Sequence, residues 1–323
     1  MNRAMVKLGL VSNPRSQLNK GGMEGIEDVV GANSDILHAR LNDLAALPDV
    51  LTEFARREVG VIAVNGGDGT VQAVLTELLE AQPFDAVPPL ALLARGMTNM
   101  IATDVGLRGS PPKALRRLAS LVRKGVANGH LVARNVVRLQ NAAGFPPQRG
   151  MFFGAAGVLR AIELCRTKVH TVGMSSGWAN AVTLITLLLR WTLSGNDRKG
   201  LGGENIGVSL EGGPMEESVR LLVLATTLDR LILNARPFWN SDRGPLRYTS
   251  ISHPPKRLAN SALKVLYGGA DRGLPAESYE SRGVTHAELE MRCRFTLDGE
   301  LFVPTTGKPI VLSAADQVRF VRV

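Results

Sequence analysis

One short segment, Val61–Thr70, constrains the fold of this chain more than any other. It is an apolar run that ends abruptly in three glycines around an aspartate, and residues 71–79 are then apolar at helical spacing. The segment therefore predicts a strand, a glycine turn and a helix. Because glycine lacks a Cβ, an anion can approach the backbone of such a turn closely. The first amides of the helix lie at the positive end of its dipole, which makes the turn a candidate phosphate site.

Asp68 stands inside this glycine turn and adds a chemical group to it. A carboxylate at this place can hold Mg²⁺ or accept a proton. The alternative is a tight strand-to-helix turn in which Asp68 is an N-cap. Three glycines around an acid after a buried strand favour phosphate handling. The predicted binding residues of the turn are Asn65, Gly66, Gly67, Asp68, Gly69 and Thr70.

The bulk properties are those of a globular protein, with 323 residues, 45% hydrophobic and 21% charged. This length favours two domains. The longest apolar stretch, Ala181–Leu189, is far too short to span a bilayer, and the first strand lacks the pattern of a signal peptide. Cys165 and Cys293 form neither a metal-ligand spacing nor a disulfide framework. We therefore expect a cytoplasmic protein.

The net charge of +9 restricts the partners. A basic surface attracts nucleic acid, anionic lipid or a polyphosphate. Nucleic acid is disfavoured, because aromatic residues are only 5% of the chain and no zinc finger, RNP-like strand or dense basic block is present. The basic residues are spread along segments such as Lys113–Lys124. An anionic membrane surface, a nucleotide and a merely solvated helix face all stay open as explanations.

The first part of the chain alternates predicted strands and helices with short connections, which is typical of a parallel α/β sheet. Around the central glycine turn, the pattern predicts strands at Val6–Val11, Ile36–Arg40 and Pro88–Ala94, a loop-like Lys20–Gly31, and helices at Leu41–Glu58, Met100–Val105 and Pro111–Lys124. Carboxyl ends of parallel strands open on one edge, so the turns after these strands predict one ligand crevice. Asn13 and Ser16, after the first strand, either donate to a nucleotide or form the turn.

After about Gly129 the pattern changes to short β-type runs, Ala262–Leu266 among them, separated by glycine, proline and charged turns. One helical insertion, Ala156–Arg166 and Ser176–Leu193, interrupts them, and its second helix is apolar all round, as in a buried core or a lipid-facing wall. The predicted fold class is α/β plus all-β. A parallel α/β nucleotide-binding domain, residues 1–129, precedes an antiparallel β-sandwich domain, residues 130–323. We leave open that the last strand returns to the first domain.

A second acidic group stands near the end of the chain, where a strand runs into Asp298-Gly299-Glu300. Residues i and i+2 of an extended segment point the same way, so Asp298 and Glu300 are candidates for a common site. That pair would suit a proton acceptor beside a partner that tunes its pKa. Asp-Gly is also the commonest hairpin turn, and a hairpin is the favoured interpretation of this segment alone.

Taken together, these motifs resemble the diacylglycerol kinase family of lipid kinases, which includes bacterial lipid kinases, sphingosine kinases and ceramide kinases and is related to NAD kinases. The resemblance rests on Asn65-Gly66-Gly67-Asp68-Gly69-Thr70, a Gly-x-x-Asn turn at Gly96 to Asn99, and Leu297-Asp298-Gly299-Glu300. The Gly-Gly-Asp-Gly-Thr motif is highly specific for this superfamily. The resemblance covers nearly the whole chain.

This resemblance implies an ATP-dependent lipid kinase that uses Mg²⁺, with a diacylglycerol-like or sphingoid acceptor in a cleft between the domains. Nucleotide contacts would come from the glycine turn, from Asn13 and Ser16, and from Gly96 and Asn99. Asp298 falls on the family's proposed base and Glu300 on its acidic neighbour, while Asp68 is a rival base and the expected metal ligand. The implied partners are ATP and a lipid at an anionic membrane surface, with the enzyme peripheral at the inner membrane face.

Three departures from the family pattern bear on activity. The third loop reads Ala94-Arg95-Gly96-Met97-Thr98-Asn99-Met100, so methionines stand where the family has a threonine and an acid. Gln72-Ala73 replaces the family's Asn-Glu, and the glycine that normally follows Ser16 is missing. A catalytically impaired lipid- or nucleotide-binding pseudokinase is therefore the alternative, and a kinase of a small polar acceptor is a third reading. The oligomeric state stays open, with a homodimer as one outcome.

Overall fold

The computed structural model describes residues 7–96, 98–125, 127–159, 202–239 and 244–322. The chain forms two compact units. The first comprises the residues up to Arg134 together with the segment that starts at Gln317, and the second is Asn135–Asp316. The helices expected within Ala156–Arg166 and Ser176–Leu193 lie outside the described residues, apart from the first few positions.

The first unit is a parallel α/β sheet, as the alternating pattern predicted. Its strands run in the order β2-β1-β3-β4-β17-β5, and neighbours from β2 to β17 pair in parallel. The elements are β1 (Lys7–Ser12), α1 (Glu24–Gly31), β2 (Ile36–Arg40), α2 (Leu47–Arg56), β3 (Val59–Gly66), α3 (Asp68–Thr76), β4 (Leu90–Ala94), α4 (Met100–Val105), α5 (Pro111–Arg123), β5 (Leu131–Asn135) and, near the end of the chain, β17 (Gln317–Val321).

The apolar face of α5 forms part of the core of this unit. Leu115, Leu118 and Val122 recur at helical spacing and are buried against apolar residues of β1, β3 and β4. Burying such a leucine or valine side chain contributes about 1.5–3 kcal/mol each. The sheet is thereby fixed from one face, which holds the carboxyl ends of its strands in register.

The second unit is a large antiparallel sheet, so the predicted fold class is confirmed. Its apolar core is formed by alternate residues of the strands, including Phe153, Tyr248 and Phe295. The elements are β6 (Val137–Gln140), β7 (Gln148–Gly150), β8 (Phe152–Ala156), β9 (Glu204–Leu210), β10 (Glu216–Thr226), β11 (Leu246–Ser252), α6 (Leu258–Tyr267), β12 (Tyr279–Val284), β13 (His286–Met291), β14 (Phe295–Leu297), β15 (Glu300–Phe302) and β16 (Ile310–Ser313).

Two segments differ from the sequence-based expectations. Ala262–Leu266 was expected to be a strand, and this prediction is wrong because the segment belongs to α6. Ser261 and Val265 of α6 are buried and lie four residues apart. Residues four apart share one face in a helix and also in a strand, so a short window of sequence does not distinguish the two. Lys20–Gly31 was expected to be loop-like, yet α1 begins at Glu24 and buries Ile26 and Val29.

Among the residues that the structure describes, none of the helices combines the length and the hydrophobicity needed to cross a bilayer.

Buried Arg272 explains how α6 is held in the second unit. Its guanidinium lies over the Trp239 ring, 5.0 Å from the centroid. It donates hydrogen bonds to five backbone carbonyls, those of Lys264, Val265, Gly269, Arg236 and Phe238. One side chain therefore satisfies carbonyls at the C-terminal end of α6 and ties them to the segment before Trp239.

We expect Arg272→Met to destabilise the second unit strongly. Each buried carbonyl that loses its donor costs about 1–3 kcal/mol, so the loss should reach at least about 3 kcal/mol. Urea unfolding followed by tryptophan fluorescence measures it. The control is Lys264→Met, which removes an exposed cation of the same helix and should stay within about 0.5 kcal/mol. Equal stability of the two variants would contradict this role of Arg272.

Candidate functional site

Three loops meet at the carboxyl edge of the parallel sheet. We call them the first loop (residues 13–19), the glycine loop (residues 65–70) and the third loop (residues 95, 96, 98 and 99), and they follow β1, β3 and β4. Because these strands are parallel neighbours, their carboxyl ends lie at the same edge. Backbone hydrogen bonds join all three: Asn13 N donates to Asn65 O at 3.0 Å, Leu18 N to Arg95 O at 3.0 Å, and Arg95 N to Gly66 O at 3.1 Å.

The predicted polar residues of the first loop contact the glycine loop. Asn13 Nδ2 donates to Thr70 Oγ1 at 2.9 Å, and Ser16 Oγ lies 3.5 Å from the same oxygen. Ser16 Oγ also accepts a hydrogen bond from Gly67 N at 3.2 Å. Asn13 and Ser16 therefore shape the glycine loop, in addition to any contact they make with a ligand.

Asn65 is fully buried and helps to hold the first loop against the end of β3. Its Nδ2 donates to Ser12 Oγ at 3.0 Å, so the side chain is directed into the protein. Its backbone oxygen accepts from Asn19 Nδ2 at 3.1 Å, in addition to the bond from Asn13. The first loop is thus attached to the end of β3 by side-chain and backbone bonds together.

The glycine loop and the third loop touch backbone to backbone. A Cβ added to Gly67 would lie 2.9 Å from Gly96 Cα, and one added to Gly96 would lie 2.7 Å from Gly67 Cα. A Cβ on Gly66 would meet the Thr70 side chain at 2.6 Å. These distances are shorter than real Cβ contacts, so all three positions require glycine for close packing.

Asn99 closes the third loop on itself. Its Oδ1 accepts from Gly96 N at 2.6 Å, and its Nδ2 donates to Gly96 O at 2.8 Å. The residue has φ of 49°, in the left-handed region that asparagine tolerates better than most residues. The predicted pair Gly96 and Asn99 is therefore joined by two hydrogen bonds directly before α4.

Asp68 is buried, with an exposed fraction of 8%. Its Oδ2 accepts from Thr98 Oγ1 at 2.7 Å and from Met100 N at 3.0 Å, and its Oδ1 accepts from Ile101 N at 3.1 Å. Burial raises the pKa of the Asp68 carboxyl, because desolvation outweighs these hydrogen bonds. A raised pKa would suit a general base, but both oxygens already hold protein donors.

The predicted Mg²⁺ site at Asp68 has little support in the surrounding residues. Among the described residues, no group of three or more His, Cys, Asp or Glu side chains is placed to hold a metal ion. Mg²⁺ requires near-octahedral oxygen ligands, and the oxygens of Asp68 face hydrogen-bond donors instead. These residues do not fit a protein-held Mg²⁺, so the assignment stays a prediction and no step below depends on it.

In the second unit, Asp298 lies in the turn between β14 and β15 and is 4% exposed. Its Oδ2 accepts from Met151 N and its Oδ1 from Phe152 N, both at 2.9 Å. A Cβ on Gly150 would lie 2.5 Å from Asp298 Oδ2, so glycine there allows the carboxylate to approach β8. These bonds from two consecutive backbone amides hold the carboxylate in one orientation.

Glu300 has a different environment from Asp298. Leu297 pairs with Glu300 across a two-residue hairpin turn, in which Asp298 and Gly299 have φ of 50° and 92°. The favoured hairpin interpretation is therefore confirmed. Since Asp298 is not extended, the i, i+2 geometry does not apply, and Glu300 is exposed at the start of β15. The spacing argument for a common site therefore does not hold in this turn, and the catalytic roles of both residues stay predictions.

Three residues of these loops were not predicted from the sequence. Asn19 joins the first loop to β3, and Thr98 binds Asp68. Arg95 connects the other two loops through its backbone, while its half-buried side chain has an Nε without a hydrogen-bond partner among the described residues. Asn19 and Thr98 carry no local sequence signal, since their partners are distant in the chain. An arginine beside the loop glycine Gly96 is a signal that could have identified Arg95.

These features define a class of protein. A parallel α/β unit, with loops at the carboxyl edge of its sheet where such folds usually bind ligands, is followed in sequence by an antiparallel unit. The whole fold is similar to a crystal structure of a diacylglycerol kinase from Bacillus anthracis str. Sterne (TM-score 0.60, 16% identity, 98% of this chain and 96% of that chain). A proposed diacylglycerol kinase of the same organism gives a TM-score of 0.66 at 16% identity, with 98% and 97% covered. Yeast NADH kinase complexed with NADH gives 0.51 at 10% identity, with 99% and 84% covered.

A comparison with protein-family models agrees with the resemblance seen in the sequence. The family model of the diacylglycerol kinase catalytic domain matches residues 8–130, which contain all three loops. The predicted resemblance is therefore confirmed over these residues, and the match supports a kinase. A comparison with curated protein sequences finds no significant match.

We expect Gly67→Ala to separate the glycine loop from the third loop. Gly67 has φ of −93°, which alanine adopts freely, so the effect is purely the clash with Gly96. Overpacking of this kind costs about 1–3 kcal/mol of unfolding free energy. Gly31→Ala is the control, because nothing lies within 4 Å of a Cβ there. Chemical denaturation of both variants checks the prediction, and equal midpoints would contradict it.

Proposed function

We propose that this protein is an ATP-dependent lipid kinase that transfers the γ-phosphate of ATP to a lipid hydroxyl. The observation that carries the proposal is the contact of three loops around Gly67, within the part of the chain that matches the diacylglycerol kinase catalytic domain. The glycine loop leads directly into α3, whose N-cap Gly67 has no capping side chain. The amides at that helix end therefore favour an anionic ligand such as a phosphate.

The nucleotide binds along the three loops in this proposal. Phosphates approach the glycine loop, where missing Cβ atoms leave the backbone accessible. Arg15 of the first loop and Arg95 of the third loop supply positive charge beside it. Phosphoryl transfer depends mainly on positioning and charge neutralisation, so backbone amides and these two cations provide the main assistance.

Asp298 accepts the proton of the acceptor hydroxyl. The hydroxyl oxygen forms a bond to the γ-phosphorus while the bond from that phosphorus to the β,γ-bridging oxygen breaks, and ADP leaves. The two amides from Met151 and Phe152 hold the carboxylate in one orientation, which supports the role of a fixed base. Asp68 has a different role in this proposal, because its oxygens bind Thr98, Met100 and Ile101 of the neighbouring loop and helix.

One observation favours a second candidate, a nucleotide- or lipid-binding pseudokinase. Met100 replaces the acid of the family's third loop and is buried, so this position offers no oxygen to a nucleotide or a metal. A chain without that group can keep its binding loops and lose turnover. Binding and turnover must therefore be measured separately.

The test is a transfer assay with γ-labelled ATP. Vesicles of phosphatidylglycerol with diacylglycerol, vesicles with a sphingoid base, and a total lipid extract are the acceptors, and the labelled product is identified by chromatography. A labelled phospholipid supports the kinase. ATP binding by calorimetry with no labelled lipid from any acceptor supports the pseudokinase. Label in a water-soluble product without vesicles indicates a small polar acceptor.

We expect Asp298→Asn to lower kcat by about 10²–10⁴ with little change in the KM for ATP, since a general base contributes in this range. The control is Asp271→Asn, an exposed aspartate of the same unit that also accepts a backbone hydrogen bond, from Gly273 N at 3.1 Å. Both variants are measured at saturating ATP in the vesicle assay. An Asp298→Asn enzyme as active as the control would exclude Asp298 as the base.

A further inference from the structure

Asp68 joins two loops that lie far apart in the sequence. It begins α3, yet its three hydrogen-bond donors all belong to Thr98, Met100 and Ile101, after the next strand. Two of these donors are consecutive backbone amides at the start of α4. The carboxylate therefore caps α4, a helix other than its own, and holds it against the glycine loop.

Asp68 holds α4 next to a residue with positive φ. Asn99, directly before Met100, has φ of 49°. The bonds to Thr98 and Met100 fix the chain on both sides of Asn99, so they keep this residue in the left-handed region. The other end of α4 is fixed as well, because buried Asp104 pairs with Arg134 of β5 at 3.0 Å. Asn99 in turn sets the position of Gly96 through two bonds.

The same geometry argues against direct chemistry at Asp68. A base or a metal ligand must present an oxygen to the substrate or the ion. Here Oδ1 faces Ile101 N, and Oδ2 faces both Thr98 Oγ1 and Met100 N. A cation at these oxygens would have to displace or approach three positively polarised hydrogens, and the described residues offer it no neighbouring acidic cluster.

We propose that Asp68 is a positioning residue: through Thr98, Met100 and Ile101 it fixes the third loop in the shape that binds the nucleotide, and it is neither the base nor a ligand of the metal. This inference rests on the proposed nucleotide binding by the three loops. In this proposal Asp68 of the glycine loop joins that loop to the third loop. Thr98, which the sequence alone did not single out, takes part through its hydrogen bond to Asp68.

The proposal explains why an aspartate is needed. Two amides and one hydroxyl require acceptor capacity on both side-chain oxygens. Asparagine keeps one oxygen and turns an NH₂ group toward at least one of these donors. Asp68→Asn should therefore loosen the third loop while preserving the size of the side chain. Thr98→Val should remove one bond of the three, and Thr98→Ser should retain it.

The experiment compares Asp68→Asn, Thr98→Val and Thr98→Ser with wild type. Two matched controls lie on or before α2: Asp43→Asn, whose carboxylate accepts from Ala45 N, and Thr52→Val, whose hydroxyl donates to Pro48 O. Amide hydrogen exchange at Met100 and Ile101 reports the contact itself. Calorimetry gives the Kd for ATP, and the vesicle assay gives kcat, KM for ATP and the Mg²⁺ concentration for half-maximal rate.

For Asp68→Asn we expect exchange at Met100 and Ile101 at least tenfold faster, and Kd and KM for ATP at least tenfold higher. The value of kcat at saturating ATP and the half-saturating Mg²⁺ concentration should stay within about threefold of wild type, because a positioning residue acts through binding. Thr98→Val should show the same pattern more weakly. Thr98→Ser and both controls should match wild type.

Two results would overturn the proposal. One is unchanged exchange at Met100 and Ile101 in Asp68→Asn. The other is a fall in kcat of a hundredfold or more with KM for ATP unchanged, or a tenfold shift in the Mg²⁺ requirement, since these identify a base or a metal ligand. If wild type binds no ATP, the proposed function fails and the nucleotide part of this inference with it, while the exchange data still decide the contact.

Discussion

The direct contact between the backbones at Gly67 and Gly96 is the constraint on which the arrangement of the three loops depends. Without a Cβ on either side, two loops after neighbouring strands can lie closer than any other residues permit. Ser16, Asn13 and Asn99 then need only short hydrogen bonds to hold the surrounding turns. These hydrogen bonds form only when the loops lie at the right distance from one another. The glycine contact sets that distance, so the polar network depends on it.

The two acids Asp68 and Asp298 share a feature that is not visible in the residues next to them in the sequence. Each accepts hydrogen bonds from two consecutive backbone amides of a segment distant in the chain, Met100 and Ile101 in one case and Met151 and Phe152 in the other. Such a carboxylate organises its surroundings whatever else it does. Asp68 also accepts a hydrogen bond from the Thr98 hydroxyl.

Local patterns predicted the elements and the motif, and non-local contacts account for what they missed. The strand, glycine turn and helix around Gly67 follow from residues within one stretch, and the parallel and antiparallel sheets follow from strand spacing. The partners of Asp68 are not visible in this way, because they lie about thirty residues on and meet it only once β3 and β4 pair. The i, i+2 rule failed at Asp298 because a hairpin turn gives it positive φ. The bonds from Arg272 that cap the end of α6 are not visible in a short window of sequence, because Arg272 lies beyond the end of the helix.

The position of β17 has a consequence for how the protein is made. This strand pairs with β4 in the order β4-β17-β5, yet the whole of Asn135–Asp316 separates it from β5 in the sequence. During synthesis the parallel sheet therefore stays open at an inner position until the intervening unit has emerged. The antiparallel unit has all its strands available earlier and can fold first. A nascent chain would then expose the pairing edge of β4 for longer than any other edge of the sheet, and a chaperone that protects strand edges would have its most useful binding site there.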